Sequence, residues 1–291
     1  MSDDARTTPL VVVDTNVWLQ YFDLASPTAD ADRQLLRRAK KSGVVRLMMT
    51  APITQELMRT CPHDGFARYA EIMRFAWNMC GARVLATDGD REELELRHRR
   101  KLDLREGEAL MTVDRRRSFR DQYMLDEEHA RTVARVVAQH RADHRPLERQ
   151  QRADTLRELN ATQRGWRDIM LQSEEQRRGL MVSWARDGMV ALATKLGLPT
   201  EERALPDPRN LPSFYIPKVV HVTHLHDVLL TGRSPTATGL YDRAALQDAA
   251  AYGDVLATTD GQLTTLAART GLPLRVLSYQ AWNDELRRLA G

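Results

Sequence analysis

Two short apolar runs near opposite ends of the chain both lead to an aspartate, and they limit the fold more than any other feature. The first spans Pro9–Val13 and stops at Asp14; the second, around Val255–Ala257, passes through two threonines to Asp260. Continuous apolar runs of this length suit strands buried on both faces, as in a parallel sheet. A carboxylate just past such a strand faces the crevice where open α/β sheets bind ligands. The rest of the pattern agrees. Strands are expected over Pro9–Asp14, Val44–Met49, Val255–Thr258 and Leu274–Leu277. Helices are expected over Asp30–Lys41, from Pro52, over residues 66–80, over Asp242–Tyr252, over Gln262–Thr270 and at the C-terminus. Residues 82–86 are a further short strand candidate.

Two more acids belong with the strand-end pair. Glu56 lies in the helical stretch PITQELMR, after the second strand, and Asp242 opens the helix that leads to Asp260. Carboxylates that converge repel one another unless a hard divalent cation neutralises them. Each also has a plainer role: Asp14 as a helix cap, Glu56 as a solvated helix residue, Asp260 as a turn residue. Asp248 is the reserve for Asp242. Six residues apart on one helix, the two point about 240° apart, so they do not serve the same ion.

Taken in order, these segments resemble the PIN-domain nucleases. The resemblance rests on VVVDTN at the first strand, on Glu56-Leu57, and on Asp242 followed by a small-residue helix, Gly253 and the Thr-x-Asp of Thr258–Asp260. The spacing of 18 residues from Asp242 to Asp260 fits as well. It covers roughly residues 8–62 and 236–285. It implies an α/β fold, a PIN-like parallel β-sheet flanked by helices, divided into residues 1–90 and 236–291. Between them, 91–235 forms a long, mostly α-helical insertion with a proline-rich connector. It also implies a metal-dependent ribonuclease whose products carry 5′-phosphate and 3′-hydroxyl ends. Single-stranded RNA is the expected substrate, ahead of structured RNA or DNA. In that scheme Asp14, Asp242 and Asp260 bind Mg²⁺ or Mn²⁺, and Glu56 completes the site or orients water. Asn16 and Thr258 orient the carboxylates.

Two other classes share part of this pattern. A haloacid-dehalogenase-type phosphatase needs a second Asp two residues after the first, and position 16 is Asn. A catalytically silent PIN-fold scaffold or nucleic-acid-binding protein would keep the fold without turnover.

The insertion carries most of the basic clusters. Lys and Arg total 43 against 40 Asp and Glu, nearly all the cations are Arg, and RHRRK at 97–101 and RRRSFR at 115–120 are the densest runs. Arginine forks match phosphate oxygens, so Arg115, Arg116 and Arg117, with Phe119 as a stacking ring, are candidate nucleic-acid contacts. The bland alternative is a solvated helix face paired with nearby acids. The insertion could also mediate homodimer contact, and nothing marks an antitoxin-type partner. Asp88 and Asp90, in a segment that echoes the Asp260 turn, are expected to start a helix, with Asp90 as cap and Glu93 completing a capping box. Long helices are expected from 91 to 197, breaking near His144–Pro146, and six prolines from Pro199 to Pro235 leave little room for regular elements. His221, His224 and His226 do not converge in either a strand or a helix, so zinc is not expected. There is no apolar stretch near the roughly 20 residues of a membrane span, nor a secretory signal. With only Cys61 and Cys80, a disulfide framework is not expected, and a reduced cytoplasmic setting is.

Overall fold

The computed structural model describes residues 8–58, 65–124 (without 82 and 105), scattered positions from 127 to 139, 173–231 (without 202) and 239–290. For residues 122–124, 228–231 and 239–242 it describes the backbone alone. The chain passes in order through β1 (Leu10–Val13), α1 (Thr15–Gln20), α2 (Ala29–Lys41), β2 (Arg46–Met48), α3 (Ala51–Met58), α4 (Phe66–Cys80), α5 (Asp88–His98) and α6 (Val113–Met124). After residues outside this description come α7 (Glu174–Lys195), a 3₁₀ turn (Pro208–Asn210), α8 (Pro212–Thr231) and α9 (Gly239–Tyr252). The chain then closes with β3 (Val255–Ala257), α10 (Gly261–Thr270), β4 (Arg275–Leu277) and α11 (Tyr279–Ala290). The expected break near His144–Pro146 lies outside the described residues.

The four strands form one parallel sheet in the order β2-β1-β3-β4. Val11, beside Leu47 on one side and Val255 on the other, is fully buried, as are Val12 and Val13. Both faces of β1 are therefore covered, which is why its sequence does not alternate. Residues 84–85 extend the sheet beyond β2 through a parallel bridge from Met49 to Val84. Chain order reverses between β1 and β3: β2 follows β1 on one side, and the late strands lie on the other. Ligands bind at such switch points in open α/β sheets.

The helix α9 packs on β1 and β3 and against α3 and α10, while α8 lies against α5, α7, α9 and α10. Ile216 and Val220 of α8 belong to the same core cluster as the sheet valines and Leu246. The turn from α9 into β3 needs Gly253, because a Cβ there would lie 2.8 Å from the Ala249 carbonyl oxygen.

Two local expectations are corrected. The proline-rich connector contains α8, a helix of 20 residues. Pro212 opens it, where a missing N–H costs nothing, and Pro217 removes a single intrahelical bond while the apolar residues around it are held in the core. The α5 cap is Thr87, not Asp90: the Thr87 hydroxyl oxygen accepts from the Asp90 N–H at 3.4 Å and donates to Asp90 Oδ2 at 2.6 Å. A short helix, α1, follows directly on Asp14, which caps it.

Candidate active site

Asp14 stands at the carboxyl end of β1, at the switch point, and is 1 % exposed. Its backbone N–H donates to the Ala257 carbonyl at 2.9 Å, which fixes it against the end of β3. One carboxylate oxygen accepts from the Thr15 N–H at 2.8 Å, so Asp14 also caps α1. The other accepts from the Thr258 hydroxyl at 2.8 Å. Thr258 is itself buried, and its oxygen accepts the Asp260 N–H at 3.1 Å. Thr258 therefore holds Asp14 and the start of the Asp260 turn together.

Asp260 is half-buried and caps α10, with Oδ1 accepting from the N–H groups of Gln262 at 2.6 Å and Leu263 at 2.9 Å. Among the described residues its Oδ2 accepts no hydrogen bond, which leaves that oxygen as a donor atom to a ligand. The capping role and the site role are compatible, because they use different oxygens. Glu56 is half-buried on α3. Burial pushes the Asp14 carboxyl up to about 6. The Thr258 and Thr15 hydrogen bonds oppose the shift, and the negative charges of Glu56 and Asp260 add to it. The structure thus brings Asp14, Glu56 and Asp260 within electrostatic reach of one another at one edge of the sheet. Asp242 falls in the first turns of α9, and its side chain lies outside the described residues.

The remaining candidates divide. Thr258 donates its hydroxyl to Asp14. Asn16 is exposed on α1 and supplies neither of the hydrogen bonds that Asp14 accepts. Asp248 is buried and receives Arg91 Nη2 at 2.7 Å. Burial pushes its carboxyl up to about 6 against the pull of Arg91. Asp254 accepts the Leu10 N–H at 2.8 Å, at the start of β1, and so sits at the amino end of the strands, opposite Asp14.

In the insertion, Phe119 is buried and stacks on Trp77, with ring centroids 6.3 Å apart and planes 18° apart, so it does not present its ring to a base. Arg115 pairs with Asp90, Arg116 is half-buried, and Arg117 is exposed. The run is a helix face with mixed duties, which weakens the case for it as a phosphate grip. The three histidines lie along α8, and the His221 ring contacts Trp184 at 6.0 Å. Cys80 is buried, and burial pushes its thiol up to about 12; Cys61 lies outside the described residues.

Sequence reasoning missed Arg91, Glu95, Ser213 and Tyr252, which form a buried polar network between α5, α8 and α9. Arg91 and Glu95 belong to a run dense in charge, and charge-rich helices normally face solvent. No signal in the sequence separates these two from their exposed neighbours.

Among the described residues no group of three or more ligating side chains closes around one point. The donors nevertheless suit a hard divalent cation. They are all carboxylates, one is buried, and the two charged side chains acting most on it are also negative.

If Asp242 and Asp248 have separate roles, their substitutions will differ in kind. On the nuclease expectation from the sequence, Asp242→Asn should lower metal-dependent cleavage on the order of a thousandfold and leave stability unchanged or raised. Asp248→Asn is expected to lower cleavage only about tenfold. It should destabilise the fold by roughly 3 kcal/mol, because Arg91 loses a buried partner. Paired cleavage assays and urea melts of both variants check this, and a reversed order of activity loss would make Asp248 the third acid.

No protein-family model, curated protein or solved structure matches the chain.

Proposed function

We propose that the chain is a divalent-metal-dependent nuclease of the PIN type, acting on single-stranded RNA. The observation that carries the reading is Asp14: a buried carboxylate at the sheet's switch point, raised in pKa and flanked by Glu56 and Asp260. Burying such a group costs stability unless a partner compensates it, and functional sites retain such costs.

Asp14, Asp260, Glu56 and Asp242 would hold Mg²⁺ or Mn²⁺. The bound metal would supply a water acidified to hydroxide and positive charge for the phosphoryl oxygens. The chain's own residues prepare that site. Thr258 and the Thr15 N–H each occupy one lone pair of Asp14, which fixes the carboxylate plane and leaves the other lone pairs as donors. Asp260 is held by its cap bonds through Oδ1 and offers Oδ2. Glu56, on the first helix after β2, adds a carboxylate from the opposite side of β1.

Incubation with single-stranded RNA and DNA in Mn²⁺, Mg²⁺ or chelator tests the reading. RNA fragments bearing 5′-phosphates are expected with metal and none with chelator. Intact RNA and DNA under every metal condition would remove the nuclease assignment.

A further inference from the structure

The start of the insertion is fastened to the acid-bearing helices by a buried ionic network. Arg91, on the second turn of α5, is 4 % exposed. Its Nη2 donates to Asp248 on α9 at 2.7 Å and to Asp88 of its own helix, and the guanidinium lies over the Tyr252 ring, 5.3 Å from the centroid. One turn further along α5, the fully buried Glu95 accepts the Tyr252 hydroxyl at 2.5 Å and the Ser213 N–H at 2.9 Å. Ser213 Oγ is 2.9 Å from the same Tyr252 hydroxyl. Asp248 and Tyr252 are one turn apart on α9, so α5 grips that helix at two successive turns and the start of α8 as well.

The Asp248 end of the network also reaches α3. The Thr50 hydroxyl, just before α3, is buried and outside hydrogen-bond geometry with any partner among the described residues, yet lies near enough to Asp248 to favour its ionised form. Packing of α9 on α3 continues this contact. The two helices joined at this point carry Asp242 and Glu56. Stability alone is a poor reason for such a network, because replacing a buried ion pair with apolar residues is often neutral or favourable.

We propose that Arg91 is a positioning residue that, through Asp248, sets the placement of α9 relative to α3 and so the spacing of Asp242 and Glu56. The inference rests on the nuclease reading above. It makes the first helix of the insertion part of the site's supporting structure.

The test is a cycle of Arg91→Met, Asp248→Asn and the double variant, with Arg91→Lys added, each measured for melting temperature, kcat and KM on one single-stranded RNA in Mn²⁺. Arg91→Met should melt roughly 10 °C lower, because it strands a buried carboxylate. The double variant, which removes both charges, should recover to within about 3 °C of wild type. Its kcat should stay at least about tenfold down with KM within about threefold, the signature of misplaced groups rather than lost binding. Arg91→Lys should recover part of kcat. Return of both melting temperature and kcat in the double variant would show that the pair only supports the fold. If Arg91→Met does not fold, the double variant still decides the question. A wild-type protein that cleaves nothing overturns the nuclease reading itself, and the inference with it; that result is distinct from a restored double variant.

Discussion

Asp14→Asn should reduce metal-dependent cleavage on the order of a thousandfold and, without metal, melt above wild type at neutral pH. Both effects have one cause. The ionised Asp14 is buried beside two like charges, so its charge serves a bound cation and opposes the folded chain when none is present. Asn keeps the shape. Its oxygen can still accept from the Thr15 N–H, and its amide can donate to Thr258, whose hydroxyl turns to suit. The fold should therefore survive the change. Full activity in the purified variant would move the catalytic centre elsewhere.

A second large effect follows from the same group. The Asp14 carboxyl is pushed from the ordinary 3.8 up to about 6 in the folded chain. Between those two values the folded state binds more protons than the unfolded one, so the unfolding free energy falls as pH rises. The stabilising proton is fully in place below about pH 4, and its contribution is lost as pH passes 6. A shift of about two units corresponds to roughly 3 kcal/mol, with Asp248 adding a loss of the same sign. Metal-free wild type should therefore lose stability from pH 4 to 7, and Asp14→Asn should lose less. Adding Mn²⁺ should restore wild type most strongly above pH 6, where the ligand is ionised, and restore the variant little. Urea melts at several pH values, with and without Mn²⁺, measure this. Identical pH slopes for wild type and variant would contradict the burial argument.

Strands β1 and β3 were legible because an apolar run closing on Asp carries both the burial and the polar end of a parallel strand. Their adjacency was not. It depends on α9 and Gly253 delivering β3 back beside β1, and local pattern does not encode contacts between such distant segments. The same long-range pairing hides the Thr258 hydrogen bond until Asp14 and Thr258 are known to lie side by side. Helix α8 was hidden for a different reason. Its prolines speak locally against a helix, whereas the core contacts of Ile216 and Val220 outweigh the one lost bond. Composition misled most at the charged segments. Arg91 and Glu95 sit in the same acidic-basic run as exposed Arg97, yet they are buried because Asp248, Tyr252 and Ser213 supply partners there. Phe119, beside an arginine run, suggested an exposed ring, but Trp77 on α4 takes it into the core.

The most direct test of the metal centre is an anomalous diffraction measurement on crystals soaked in Mn²⁺ at pH 8. One or two manganese peaks are expected at the carboxyl end of β1 and β3, with Asp14 and Asp260 oxygens within roughly 2–2.5 Å of an ion. Asp242 and Glu56 should complete the shell directly or through water. A map with no peak at Asp14, from crystals whose soak places manganese elsewhere on the molecule, would contradict it.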